Sequence, residues 1–383
     1  MPHSKNFRLY FALVILLISA IVILLHEHRP SFLRPNLHMY AYVSTADGSL
    51  TVIDLAKLQA IAKIPVAQPS QAGLTISDLR EHATRDEIWG VSSTGGFVFV
   101  LDTHSNQLTR ISVGPAPYSL DFSPNGDRLY TTASGSDQLV AIDTASRQVY
   151  GRAHTNSEPV QALLTPDTKN IVVVNRGSNT LSIHDARTLQ LLNSIPVIPQ
   201  PDEVIVVPDS TLAFVISRSQ NRLSVVDLTR AVLLTNLQLA GTPTQMLLKP
   251  DGGEIFVISP DAHGLQAINT WTHEVADSML LGSAPASAII NYDASEMYVA
   301  DRAASRVIAV DIYNRRILAR PVPVGAFPNF MRFSPADPGA KSPMLLVVDE
   351  SSGDLAVIRT RTDSLLTLIP VGTHPQRLAV KTF

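Results

Sequence analysis

Residues 285–325 read PASAIINYDASEMYVADRAASRVIAVDIYNRRILARPVPVG. Four short strands are legible in them. Ala288-Ile289-Ile290 lead to a turn at Tyr292-Asp293, Met297-Tyr298-Val299 follow, Val307-Ile308-Ala309-Val310 end at Asp311, and Ile317-Leu318-Ala319 lead out towards Gly325. Apolar and β-branched runs broken by turn residues are the signature of strands joined by hairpins. Four such strands make one small antiparallel sheet, and a lone sheet of that size leaves both faces wet. It needs neighbours.

The chain supplies them by repetition. A proline recurs at Pro69, Pro117, Pro159, Pro201, Pro243, Pro285, Pro328 and Pro375. The residue closing the third strand recurs as Asp54, Asp102, Asp143, Asp185, Asp227, Asn269, Asp311 and Arg359. The steps are 41 to 43 residues, widening to 47 or 48 near the two ends. A fixed period of this length marks a solenoid, a propeller or an array, and four strands per period select the β-propeller. The fold expected is therefore all-β, with eight four-stranded blades over residues 38–383; seven blades is the alternative. The first repeat holds three strands, 39–43, 50–53 and 60–66, and the chain ends on Arg377-Leu378-Ala379-Val380-Lys381, a first strand with no blade of its own. The C-terminal strand is expected to complete the first blade and close the ring, which removes exposed sheet edges. Repeat two carries extra residues, read as an insertion around Asp78–Arg85, and repeat eight carries another at Pro335–Pro343, read as an exposed loop.

Ahead of the repeats lies LYFALVILLISAIVILL, residues 9–25. As a helix it spans about 26 Å, the short end of a membrane crossing. The alternative, a cleaved signal peptide, calls for a small-x-small site; His26-Glu27-His28-Arg29-Pro30 follows instead. The organisation expected is a polar tail (1–8), a single transmembrane signal-anchor (9–25), a tether (26–37) stiffened by Pro30 and Pro35, and the propeller on the periplasmic or extracellular side. The excess of positive charge before the span is slight.

Composition narrows the function. Among 383 residues the net charge is −3, so no basic field recruits nucleic acid. Cysteine is absent, which excludes disulfides, zinc–thiolate centres and covalent c-type haem. No Gly-rich loop opens a helix, no G-x-S-x-G elbow occurs, and the eleven histidines form no H-E-x-x-H pair. The residues imply no metal and no cofactor. The aspartates closing the third strands sit where Asp bonds its own backbone two residues on, a structural role. His184 is read as a packing residue and Trp89 and Trp271 as core; His263 and His374 fall on turns at one rim and remain site candidates.

The segments IVVVNRGSNTLSIHDARTLQLLNSIPV (171–197) and MYVADRAASRVIAVDIYNRRILARPVPVG (297–325) resemble the YVTN-type propeller repeat, a likeness running over residues 39–383. The chain departs from that pattern in its eight repeats and at Asn269 and Arg359. The resemblance implies secreted or surface-attached binding modules. It also brings in lactonase-like enzymes and haem- or quinone-dependent oxidoreductases.

Strand alternation puts the fourth-to-first connections and the second-to-third turns on one face, around the mouth of the central channel. The residue two after each proline is expected at that mouth: Gln71, Ser119, Gln161, Glu203, Gln245, Ser287, Phe330 and Arg377. Arg176, Arg218, Arg222, Arg302 and Arg306 fall on the turns of the same face, and Arg suits carboxylate or phosphate. The function expected is a membrane-anchored, non-catalytic propeller of the cell envelope that engages a protein or small ligand through Gln71, Gln161, Glu203, Gln245, Arg377, Arg218, Arg222 and Arg306. The alternative is a lactonase-like hydrolase, with Glu203 and His374 as proton carriers, or a cofactor-dependent oxidoreductase using the same funnel.

Overall fold

The computed structural model describes residues 38–67, 73–318, 320–335 and 343–383. Their strands form eight antiparallel sheets. Blade 1 joins Met39–Thr45, Ser49–Asp54 and Gln59–Pro65 to the last strand, Arg377–Thr382. Blades 2 to 8 follow in chain order, with innermost strands Ile76–Glu81, Asp121–Phe122, Pro159–Leu164, Glu203–Val206, Gln245–Leu248, Pro285–Ile290 and Pro328–Phe333. The C-terminal strand pairs antiparallel with the first, from Met39 opposite Thr382 to Ser44 opposite Arg377. The His38 and Phe383 backbones bond each other beyond it. The eight-bladed reading holds, and so does the closure.

The core is divided among the seams between blades. Each of eight apolar clusters draws its residues from two adjacent blades, and one of them joins blade 8 to blade 1. Middle strands therefore bury both faces: Ser49–Asp54 and Glu87–Ser92 are buried along their whole length. Outermost strands such as Gln59–Pro65 stay largely exposed. That is why the middle strands read as unbroken apolar runs while the outermost ones are mixed. In blade 7 the outermost strand is in two pieces, Arg316–Ile317 and Val322–Pro323, both paired to Arg306–Asp311.

The third-strand aspartates do what their position predicts. Asp185 Oδ1 accepts the Arg187 and Thr188 N–H groups at 3.0 and 2.7 Å, and Asn269 serves Trp271 and Thr272 in the same way. His184 is fully buried between Ser182 and the Leu189 carbonyl, and Trp89 is fully buried with Nε1–H on Glu87.

Two expectations are corrected. Trp271 is 80% exposed, on a turn and not in the core. The extra residues of repeat two precede its first strand: residues 78–81, read as part of an insertion, belong to the innermost strand Ile76–Glu81. The misplacement came from aligning on Pro69, whose role at the head of the strand is taken by Ile76, paired with Ser92 as Pro159 is with Asn175. Pro69 and Gln71, the anchor at 9–25 and most of the 335–343 loop lie outside the described residues. Among the described residues no helix is long and apolar enough to cross a membrane.

Candidate functional site

One face of the ring is tied together by backbone bonds between second-to-third turns and the connections leading into innermost strands. Arg176 N–H bonds Glu158 C=O, Arg302 N–H bonds Ala284 C=O, and Glu350 N–H bonds Phe327 C=O. This is the face anticipated from strand alternation. As each innermost strand starts, several of them carry a bulge: between Ile76 and Asp78, Pro159 and Gln161, Pro285 and Ser287, Pro328 and Phe330. A bulge re-aims the next side chain. Here it turns the residue at the mouth towards the following blade.

That orientation decides what the mouth residues do. Asp78 Oδ2 accepts the Leu120 N–H of blade 3 at 3.1 Å. Ser119 accepts Ala162 N–H of blade 4 at 3.2 Å, and Gln161 accepts Val204 N–H of blade 5 at 2.8 Å. Glu203 accepts Met246 N–H of blade 6 at 3.3 Å. Gln245 accepts Ala288 N–H of blade 7 at 2.8 Å and returns its own N–H to the Ala288 carbonyl at 3.2 Å. Five consecutive side chains thus form a ladder around the channel, each satisfying a backbone donor of the next blade. Asp78 holds the place that the sequence assigned to Gln71, and proline alignment hid it.

The ladder stops at blade 7. Ser287 Oγ is buried without a hydrogen-bond partner. Phe330 offers no acceptor, and Arg377, next around the ring, lays its guanidinium over the Phe330 ring at 5.4 Å. Arg377 Nε donates to Ser77 C=O and Nη1 to Gln376 C=O, so its charge meets only neutral acceptors there. Asn329 is held by Glu350, with Nδ2 to Oε2 2.7 Å, while its Oδ1 is buried and unpartnered.

The turn arginines divide along the same line. Arg176, Arg218 and Arg302 occupy equivalent positions on blades 4, 5 and 7, each the first or second residue after its second strand. Arg176 is ion-paired with Asp202 of the next blade. Arg218 reaches Glu203 at 3.3 Å and the Thr244 carbonyl of the next blade at 3.1 Å. Arg302 lies over Phe327 of the next blade at 4.5 Å, and its Nε is buried with no partner. Arg306 is bound to the buried Asp301 through Nε and Nη2, both at 3.0 Å, and Arg222 is exposed at the start of its strand.

Burial pushes the Glu203 carboxyl up to about 7, against the pull of Arg218 and the Met246 N–H, with Asp202 adding to the rise. Burial likewise raises Asp349, at the end of the second strand of blade 8, to about 8; the Gly325 N–H on Oδ2 at 2.9 Å opposes it. His374 is exposed on blade 1, four blades from Glu203 in a ring of eight, so the two stand across the channel from each other. His263, exposed on the blade 6 turn, bonds Ser283 C=O at 2.8 Å through Nδ1. Among the described residues no three or more His, Asp or Glu side chains gather as a metal site.

No known protein family matches the chain, and no curated protein is similar to it in sequence. Solved structures are similar in fold. The dihydro-heme d1 dehydrogenase NirN, solved in complex with DHE, superposes with a TM-score of 0.72 at 15% identity over 92% of this chain and 77% of that one. Citrobacter koseri AztD gives 0.65 at 12% identity over 91% and 98%. Kuenenia stuttgartiensis hydrazine synthase gives 0.58 at 18% identity over 78% and 99%. At such identities the likeness is one of fold alone: the chain is an eight-bladed β-propeller.

Proposed function

We propose that this chain is a non-catalytic binding propeller of YVTN type, tethered to a membrane through residues 9–25, with its ring on the outer side. It engages a protein or a small ligand on the channel face. The observation that carries the reading is the interruption of the ladder. Over blades 2 to 6 the mouth residues are engaged by the fold itself, whereas Ser287 and Arg302 on blade 7 and Asn329 on blade 8 keep polar atoms unsatisfied. Buried polar atoms in native proteins find partners; Glu81 Oε2, Thr132 Oγ1 and Asn175 Oδ1 are orphaned elsewhere, but here the orphans coincide with the break in the ladder, where something from outside can supply them. A photo-crosslinking residue at position 330 in native membranes tests this, with position 271 on the exposed far-side turn as control. Adducts at 330 that are absent at 271 are expected; equal labelling at both, or none at 330, would remove the reading.

A second reading, hydrolysis in the funnel, is favoured by one observation. The Glu203 carboxyl sits near 7, where a proton carrier works best at neutral pH. Glu203→Gln is a clean test because Gln161 and Gln245 already perform the same bridging role in flanking blades. Turnover of a simple lactone such as γ-butyrolactone that disappears in Glu203→Gln, with folding intact, would favour catalysis over binding.

A further inference from the structure

We propose that the blade 7–8–1 arc of the mouth is a binding site for a small carboxylate that carries a hydrogen-bond donor beside its carboxyl group, a hydroxy acid or an amino acid. The inference rests on the binding reading above and names its ligand class.

Three equivalent arginines carry the argument. Arg176 has Asp202 and Arg218 has Glu203; each guanidinium that leans towards the following blade is matched by a carboxylate. Arg302 stands in the same place on blade 7, and the following blade presents Phe327 and Asn329 where blade 5 presents Asp202. Its Nε is desolvated yet unbonded. A buried N–H of a charged group without an acceptor is costly, and the planar fork of a guanidinium fits a carboxylate in paired bonds. The ligand's carboxylate supplies what the protein leaves out.

The neighbouring groups narrow the class. The Phe327 ring under the Arg302 guanidinium lies two residues before Asn329. The Glu350 carboxylate fixes the Asn329 amide, since Nδ2 must donate to it, and this leaves Oδ1 as an acceptor awaiting a donor. Ser287 Oγ is a second unpartnered group on the adjoining strand of blade 7. Arg377, bonded only to carbonyls and stacked on Phe330, brings a second positive charge to the same arc. A bare anion would satisfy the arginines and leave Asn329 Oδ1 orphaned; an adjacent hydroxyl or ammonium satisfies both. The phenyl rings at 327 and 330, each stacked under an arginine, suit an apolar body better than a hydrated phosphate.

Isothermal titration of the full-length chain in detergent with lactate, alanine, propionate and inorganic phosphate tests the proposal. Lactate or alanine is expected to bind at least tenfold more tightly than propionate or phosphate. Arg302→Gln should weaken that binding at least tenfold without moving the melting temperature. Arg187→Gln, the same charge change on the exposed turn after Asp185, should leave it unaltered. Phosphate binding most tightly, propionate equalling lactate and alanine, or binding indifferent to Arg302→Gln would each overturn it. If none of the four probes binds while position 330 still crosslinks to a protein, the small-carboxylate site falls and the broader binding reading stands. If position 330 fails to crosslink as well, both fall together.

Discussion

The two arcs of the channel mouth are made from one structural position and behave differently. From blade 2 to blade 6 the position holds Asp78, Ser119, Gln161, Glu203 and Gln245, and each accepts a backbone N–H of the next blade. From blade 7 to blade 1 it holds Ser287, Phe330 and Arg377, and no bridge of this kind forms. The opposite rim is more mixed, since the equivalent turn position holds Leu189, Ala231 and His273 on blades 4 to 6. At the seam between blades 2 and 3, Arg147 bonds Glu87 at 2.8 Å, and between blades 6 and 7 Arg315 bonds Glu254. The equivalent residue at the blade 7–8 seam is Asp363, which faces Glu296 with the Tyr298 hydroxyl between them at 2.9 and 3.1 Å. A polar residue at the mouth is therefore not by itself a sign of function. It is a strut where its acceptor meets the next blade's backbone, and it is available to a ligand only where that bond is missing.

The largest effect is expected from breaking the ring within the unbridged arc. Deleting residues 377–383 removes the innermost strand of blade 1 together with its pairing to Met39–Thr45. It also uncovers an apolar cluster that includes Leu378 and Val380 and releases Lys381, whose Nζ bonds the His82 carbonyl at 2.9 Å. The truncated chain is expected to lose cooperative unfolding altogether, read by near-ultraviolet circular dichroism; a melt like that of the intact chain would show that closure is dispensable.

Next come the struts. Gln161→Ala and Gln245→Ala each leave a backbone N–H of the next blade without an acceptor, at a cost of about 1–3 kcal/mol. Ser287→Ala removes a hydroxyl that bonds nothing and should change stability by less than about 0.5 kcal/mol. Urea unfolding of the three variants measures the difference between the arcs directly. Equal losses would mean that the ladder contributes nothing.

Most of the fold was legible in the sequence and much less of the site. Proline and aspartate spacing carried the blade count, and the orphan strand at 377–381 carried closure, because both follow from a repeat that must bury its faces against copies of itself. The register failed in blade 2, where Ile76 replaces the proline, so Asp78 went unseen. The larger gap concerns partners. Gln161, Glu203 and Ser287 look alike as polar residues at one position. Only the partner each meets across the seam separates the struts from the orphan, for the same bulge precedes Gln161 and Ser287. Arg302 and Arg218 are likewise indistinguishable as turn arginines until the following blade is seen to offer Phe327 to the one and Thr244 C=O to the other.

A smaller effect separates the second-strand ends of blades 4 and 8. Asn175 and Asp349 occupy the same place; Asn175 donates to Val173 C=O and Ser182 Oγ, while Asp349 is raised to about 8 by burial. The native state therefore holds a proton that the unfolded chain releases near pH 4. This contribution to stability is complete below about pH 4 and is lost as pH rises through about 8. Asp349→Asn should remove that loss, and its melting temperature should fall less than the wild type's between pH 5 and pH 8, by roughly 2 °C or more. Parallel pH profiles would mean that Asp349 is ionised in the folded protein.

A modest gain in stability is the most informative about the two arcs. Ser287→Gln places on blade 7 the side chain that Gln245 uses on blade 6, where the acceptor reaches Ala288 N–H at 2.8 Å. The corresponding donor on blade 8 is Met331. A sixth bridge should raise stability by about 1 kcal/mol, the net worth of one hydrogen bond, and the same side chain would occupy the space beside Arg302 and Asn329. The two arcs then trade properties: the variant gains stability and loses lactate or alanine binding. If stability rises and binding persists, the gap in the ladder is an accident of sequence and not the ligand's place. If neither changes, the blade 7–8 seam is held open by something other than the length of its side chain, and Phe330 becomes the residue to replace.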